Sequence, residues 1–310
     1  MTMNGVFMRK IIILLLVLVF LLTACGVRNE KSEGTAANHS TSSAKQDILE
    51  KEEAPPAENG TENTNENGGT ESAGSEPRVI VRLVVPEGYT LARIAMTLEE
   101  MEICTAQEFI DAAQNGDYSM YPLVAAQQSS PNRCFALEGY LFPDTYEVYT
   151  DDTPESIIHK MLAHLESVIT QQMRMDVEES GYTFDEVLAL ASIIEKEAFG
   201  REYMADISST LHNRLAIKMR LQCDVTINYV EGAIKPFITG DIDRYNEHYN
   251  TYKCAAIPAG AICNPSIAAI EAALNPSETD YLFFVTDSEK NYYFAATWEQ
   301  HEQKVKDLGI

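Results

Sequence analysis

Two glutamates two positions apart, Glu195 and Glu197, lie in the run Leu190-Ala-Ser-Ile-Ile-Glu-Lys-Glu197, where carboxyls stand at positions that a helix would turn toward its neighbours. Phe184, Val187, Leu188, Ala191, Ile194 and Ala198 recur at helical spacing, and Glu195 falls inside that stripe between Ala191 and Ala198. Asp185, Ser192 and Lys196 fall on the opposite side, which reads as the solvated face. Thr183 and Glu186 form a capping box that starts the helix. A carboxyl held in an apolar stripe is desolvated, which disfavours its charged form and leaves it able to donate a proton near neutral pH. Cleavage of a glycosidic bond needs such an acid. The competing reading is structural: a glutamate at the edge of a stripe often pairs with a core arginine, and Arg214 on the following helix is in place for that. Glu197 follows Leu190 and Ile193 on a flanking strip, where an ion pair or hydrogen-bonding role is the default.

The elements that must carry these residues belong to a region of about 230 residues, a length that supports two modest cores. Val79, Val81, Leu83 and Val85 alternate as a strand that Pro86-Glu-Gly88 stops. Thr90 caps a helix through Leu91, Ile94, Ala95 and Leu98, and a second helix runs through Phe109 and Ala112. This order resembles a LysM-like module, assigned to residues 78–148, which implies either glycan binding or simple packing against a catalytic unit at 149–310. Further helices are expected through Ile157 to Leu165, through Met204 to Leu215, and in the Ala-rich stretch before Asn275. Met219 to Val225 reads as strand-like and the stretch after it as a long polar loop. Tyr281–Thr286 and Tyr292–Ala296 read as a hairpin, followed by a helix that Thr297 and Gln300 cap. Short strands and helices without a regular βαβ alternation define an α+β fold.

Before the folded region, Arg9 and Lys10 precede the apolar run Ile11 to Leu22, too short to span a bilayer and of the length of a secretory signal. Its ending, Leu22-Thr-Ala-Cys25, resembles a bacterial lipobox, which implies cleavage before Cys25 and lipidation of its thiol; Met1 and Met8 are both plausible starts. Residues 26–77, rich in Glu, Asn, Ser, Thr and Gly, hold too little apolar surface to offset chain entropy and read as a disordered acidic tether. The formal net charge of −24 makes nucleic acid and anionic lipid poor partners. Cys104, Cys134, Cys223, Cys254 and Cys263 fit neither a zinc spacing nor a disulfide framework; free thiols are expected, with Cys254 and Cys263 the one pair close enough to suspect. Scattered histidines offer no metal site, and no cofactor is expected.

Six motifs in order give the chain a resemblance. They are Glu138-Gly-Tyr-Leu-Phe-Pro-Asp-Thr-Tyr146, Leu190-Ala-Ser-Ile-Ile-Glu-Lys-Glu197, Asn213-Arg-Leu215, Met219-Arg-Leu-Gln222, Tyr249-Asn-Thr-Tyr252 and Asn264-Pro265. From about Arg78 onward the chain resembles the endolytic murein transglycosylases of the MltG (YceG-like) type. The resemblance implies cleavage of the MurNAc–GlcNAc β-1,4 bond inside peptidoglycan strands, with 1,6-anhydroMurNAc ends and Glu195 as the catalytic glutamate. It also implies action on new strands at the extracytoplasmic face of the membrane, beside cell-wall synthesis proteins. Glu197, Asn213, Arg214, Gln222, Asp224, Tyr252 and Asn264 are the candidates for binding sugar groups, with Arg214 also placed to orient Glu195. Lys218, Val225, Ala259 and Ser266 depart from the family's usual Gly, Pro, Pro and Gly, which bears on loop stiffness and substrate fit. The alternative is a cell-wall lipoprotein that binds glycan without cleaving it; a solute-binding lipoprotein would need two large α/β lobes that the pattern lacks.

If the lipobox is real, Cys25→Ala abolishes incorporation of a palmitate label and leaves the protein uncleaved or mislocalised. Normal labelling of that variant would remove the lipid anchor from consideration.

Overall fold

Strand β1 (Ile80–Val84) pairs antiparallel with β2 (Thr145–Tyr149), with Leu83 opposite Tyr146 and Val81 opposite Val148. The period-two alternation explains the pairing: Leu83, Tyr146 and Val148 point into the core, while Ile80 and Val84 face outward. In this computed structural model the described residues are 78–127 and 130–310, and all of them fall within one compact unit, Glu71–Ile310. The expected signal segment, Cys25 and the whole tether at 26–77 lie outside the described residues.

Between the paired strands come α1 (Leu91–Glu100), α2 (Ala106–Asn115) and the short α3 (Pro122–Ala125). Thr90 caps α1 and a Thr105/Glu108 capping box starts α2, as hydroxyls preceding apolar-periodic runs do. The boundary expected at 148/149 falls inside β2, and the buried side chains on both sides of it join one continuous core.

After β2 follow α4 (Pro154–Val168), α5 (Gln171–Ser180), α6 (Phe184–Glu197) and α7 (Met204–Ala216). Helix α5, not foreseen from the sequence, is mostly polar and buries only Met173, so it shows little apolar periodicity. The expected strand at 219–225 is absent. Lys218 and Gln222 take left-handed backbone (φ 59° and 51°), which breaks the chain direction, and Asp224 already starts α8 (Asp224–Tyr229). The connector's polar backbone is satisfied by a loop instead of a sheet: Gln222 N–H donates to Thr251 O (3.2 Å) and Cys223 N–H to Thr251 Oγ1 (2.8 Å). The stretch expected to be a long loop contains α8, a π-helical turn at Val230–Ile234 and α9 (Asp243–Tyr249). Helix α10 (Ile267–Leu274), the hairpin β3 (Phe283–Thr286) and β4 (Tyr292–Ala295), and α11 (Trp298–Leu308) complete the chain as expected. The result is a mixed helix-and-strand fold in which helices dominate and the strands form two separate antiparallel pairs. Among the described residues no helix is long and apolar enough to cross a membrane.

Helix α6 is the axis of the core. Every residue from Val187 to Ile194 is buried, so its middle has no solvent face. Ser192, expected on a polar side, is fully buried; its hydroxyl donates to Ala189 O (2.8 Å) and accepts from Ile262 N–H (2.9 Å). Asp185, also expected in solvent, pairs with the buried Arg133 and accepts from Tyr140 Oη (3.0 Å). Helix α10 packs along α6, and α7 flanks it.

One buried amide joins three distant segments. Asn264 has no exposed surface; its Oδ1 accepts from Gly139 N–H (3.0 Å) and Leu141 N–H (2.9 Å), and its Nδ2 donates to Tyr89 O (3.0 Å). Gly139 is obligatory: its φ is +93°, and a Cβ there would stand 2.6 Å from Ala261 Cβ. Asn264→Ala would leave the Gly139 and Leu141 N–H groups without partners, each at a cost of about 1–3 kcal/mol, while Tyr89 O keeps the backbone N–H of residue 264 (2.8 Å). A destabilisation of at least ~2 kcal/mol is therefore expected, read from denaturant midpoints. A loss below 1 kcal/mol would show that water replaces the amide.

Candidate active site

The end of α6 carries both glutamates, and the structure gives them different surroundings. Glu195 is half-buried against the turn containing Gly88 and the start of α10. Its Oε2 accepts two hydrogen bonds from one residue, Ser266 N–H (3.0 Å) and Ser266 Oγ–H (2.6 Å). Glu197, one turn-fraction further on, has its carboxyl end withdrawn from water. Burial, with the Asp224 charge adding to it, pushes this carboxyl up to about 7, against the smaller opposing pull of the Cys223 thiol and Arg214.

The apolar stripe points to Glu195, and the carboxyl that burial raises is that of Glu197. A helix buried on all sides has no single core face, so position within a stripe says little about its last turn. What covers that turn decides. Over Glu197 lie the 221–224 connector and Arg214; beside Glu195 lie Gly88 and Ser266.

Arg214 is buried at the end of α7, where Nε donates to Leu282 O (2.6 Å), Nη1 donates to Leu221 O, and the guanidinium lies 5.6 Å from the Phe283 ring centroid. Its charge acts on Glu197, and its polar contacts do not include Glu195, contrary to the expectation that it orients that residue. Asp224, exposed, accepts from Tyr252 Oη (2.7 Å), and burial, with this hydrogen bond adding to it, pushes the half-exposed phenol up to about 12. Gln222 is exposed on the same connector. The structure thus gathers Glu197, Arg214, Asp224 and Tyr252 at one place, with Gln222 on the adjoining connector.

Two candidates are spent elsewhere. Asn213 Nδ2 donates to Thr279 O (2.9 Å) and Tyr281 O (3.0 Å), which fixes the approach to the hairpin. Asn264 is the buried cross-link described above, and a sugar cannot reach it.

Residues without a sequence signal complete the site. Tyr292 on β4 donates its hydroxyl to Glu197 O and accepts from Phe199 N–H (3.1 Å), so one oxygen closes the end of α6. Nothing in the strand pattern sets Tyr292 apart from its neighbours. Glu138, noted only as part of a motif, is buried: Oε1 accepts from Leu91 N–H (2.8 Å) at the start of α1, and Oε2 from Tyr229 Oη (3.0 Å). Burial pushes its carboxyl up to about 8, against the pull of those donors and of Lys196. A cavity of about 210 Å³ opens beside it, lined among others by Thr90, Lys196, Asn228 and Tyr229. Cys104, Cys134, Cys223, Cys254 and Cys263 are all free thiols, so Cys254 and Cys263 are unbridged. Among the described residues no group of three or more His, Cys, Asp or Glu could hold a metal ion.

A carboxyl raised toward neutrality at the end of a buried helix, with Asp224, Arg214 and Tyr252 near enough to act on its charge, is a candidate acid–base group. Residues 67–307 match the model of the YceG-like family, and the chain belongs to that family. It is 32% identical over 260 residues to an endolytic murein transglycosylase of Streptococcus pneumoniae strain D39, a match covering 78% of this chain and 47% of that protein. It is 35% identical over 175 residues to the endolytic murein transglycosylase of Bacillus subtilis, covering 56% of this chain and 48% of the relative. The chain thus spans about half the length of the curated relatives it matches. The crystal structure of a putative yceG-like protein from Listeria monocytogenes superposes with a TM-score of 0.63 at 32% identity, over 72% of this chain and 75% of that one.

The buried carboxyls make stability depend on pH. Glu138 and Glu197 hold their protons in the folded state to about 8 and about 7, whereas in the unfolded chain they ionise in the ordinary carboxylate range. The folded state then binds more protons, so stability falls as pH rises from about 5 to about 8. Glu138→Gln is expected to flatten that decline, measured as urea midpoints across the range. An unchanged slope would mean that Glu138 is ionised in the fold.

Proposed function

We propose that this chain is an endolytic lytic transglycosylase that cleaves the β-1,4 bond between MurNAc and GlcNAc within peptidoglycan strands. The observation that carries the reading is the carboxyl of Glu197, kept protonated near neutrality within a polar cluster. The names of the curated relatives support the reaction class. Glu197 donates its proton to the glycosidic oxygen as the C1–O bond breaks, and GlcNAc leaves with a free 4-hydroxyl. The MurNAc C6 hydroxyl then attacks C1 and closes the 1,6-anhydro ring, returning its proton to Glu197. No water is consumed, so one carboxyl serves where hydrolysis needs two. The intramolecular hydroxyl replaces an activated water through its high effective concentration.

Glu197 takes the acid role that the sequence motif suggests for Glu195, because the transfer needs a desolvated carboxyl and Glu195 is engaged with Ser266. Asp224 raises the proton affinity of Glu197, and Arg214 limits that rise. Tyr252 and Gln222, exposed at the rim, bind sugar hydroxyls or acetamido groups. The protein works at the extracytoplasmic face of the membrane, lipid-anchored through Cys25 and reaching new strands on its tether, beside cell-wall synthesis proteins. The segment 78–148 is a LysM-like module that steadies the glycan.

Full-length protein incubated with uncrosslinked glycan strands is expected to yield internal fragments with anhydroMurNAc ends, read by mass spectrometry. Glu197→Gln is expected to lower that rate by about 10²- to 10⁴-fold, the usual worth of general acid–base assistance. In the wild type kcat/KM should fall as pH rises through about 7, where Glu197 loses its proton. Reducing ends without anhydro products, binding without cleavage, or full activity of Glu197→Gln would each overturn the proposal.

A further inference from the structure

The same last turn of α6 holds a second carboxyl whose geometry suits a different task. Glu195 Oε2 receives both the backbone N–H and the hydroxyl of Ser266. Ser266 is the N-cap of α10, and its Oγ also accepts from Ala269 N–H (3.2 Å). With its lone pairs turned to the helix, the hydroxyl has one proton, and that proton goes to Glu195. The carboxylate therefore lies at the N-terminus of α10, where negative charge is favoured. Its other side meets the Gly88 turn, where an added Cβ would stand 3.6 Å from Glu195 Cγ. Lys196 Nζ reaches Gly88 O at 3.5 Å from the next position. The final turn of α6 is thus gripped by α10 and by the turn that follows β1.

Resting on the reading of Glu197 as the acid, we infer that Glu195 is a positioning residue, a carboxylate staple that ties the last turn of α6 to the cap of α10 and so aims Glu197. Glu197 is two residues away on the same turn, and Tyr292 fixes its carbonyl from the opposite side. The groups that face the Glu197 carboxyl, Cys223, Asp224 and Arg214, come from the connector, α8 and α7, elements other than α6. If the staple is cut, α6 can shift against those fixed partners. Ser266 supplies both donors to the carboxylate, and a residue without a hydroxyl there would leave only the backbone N–H to hold it.

Amide and methyl substitutions separate this role from proton transfer. Gln can accept both Ser266 bonds through Oε1 but has no proton to give; Ala can do neither. Steady-state rates of anhydro-ended product formation are compared for full-length wild type, E195Q, E195A and S266A, with circular dichroism and thermal midpoints as folding controls. E195Q is expected to stay within about threefold of wild type, while E195A loses about 10²-fold in kcat at little cost in KM, the scale that small misplacements produce. S266A should fall between them. The high-pH limb of the rate profile is expected to move to lower pH in E195A, because a loosened turn admits water to the Glu197 carboxyl, and to stay in place in E195Q. E195Q as inactive as E195A would make Glu195 a proton donor and overturn the inference, as would E195A with wild-type kcat and pH profile. Should E195A not fold, S266A and E195Q decide: a folded S266A with reduced kcat beside an active E195Q supports the staple, and S266A with wild-type kcat overturns it. Wild-type anhydro products test the transglycosylase reading alone and stay intact if only the staple fails.

Discussion

The burial of α6 on every side is the constraint from which the site follows. A helix with no solvent face can expose polar groups only at its ends, and Glu195 and Glu197 occupy its last turn. There the peptide carbonyls, the two carboxyls and the approach of neighbouring elements compete for the same space. Tyr292 takes the carbonyl of Glu197, Ser266 takes Glu195, and the connector before α8 encloses the Glu197 carboxyl. A desolvated acid arises because its neighbours are fixed by bonds to other things: Arg214 to Leu282 and Leu221, Cys223 to Thr251.

Around this centre the fold uses single polar side chains where sheets would otherwise be needed. Two-stranded pairs cannot organise a core of this size by themselves, so loops are joined by buried amides and carboxyls. Asn264 links the turn after β1 to the 139–141 turn, and Glu138 links that turn to the start of α1 and to α8. The protonated state expected of Glu138 at neutral pH suits this task, since an ionised carboxyl with so few donors would be costly to bury.

Much of the architecture was legible. Capping boxes at Thr183 and Thr297, the Thr90 cap, the β1 alternation and the C-terminal hairpin all appear where their residues place them. These are local signals, set by a few neighbouring residues. The 219–225 connector misled because extended backbone bonded to a loop has the same alternation as a strand. Helix α5 was hidden by its polarity. At the site, the residue types were visible, and Glu197, Arg214, Asp224 and Tyr252, all named from the motifs, lie near one another. The choice between Glu195 and Glu197 was not legible, because it turns on which loops cover one helical turn, and Asn213 and Asn264 carry the same amide whether they face a sugar or a carbonyl.

The origin of the residues that enclose α6 has a consequence for how the chain can be assembled. Its partners come from before it, at the 138–141 turn, and from well after it, at Ile262 and along α10. Strand β1 likewise waits for β2, and Asn264 closes onto segments that precede it by more than a hundred positions. During synthesis the apolar centre of the molecule must therefore stay uncovered until nearly the whole chain has emerged. Such a protein forms in one late, cooperative event, and a chain cut short before α10 leaves its most buried helix bare to proteases and to its own copies.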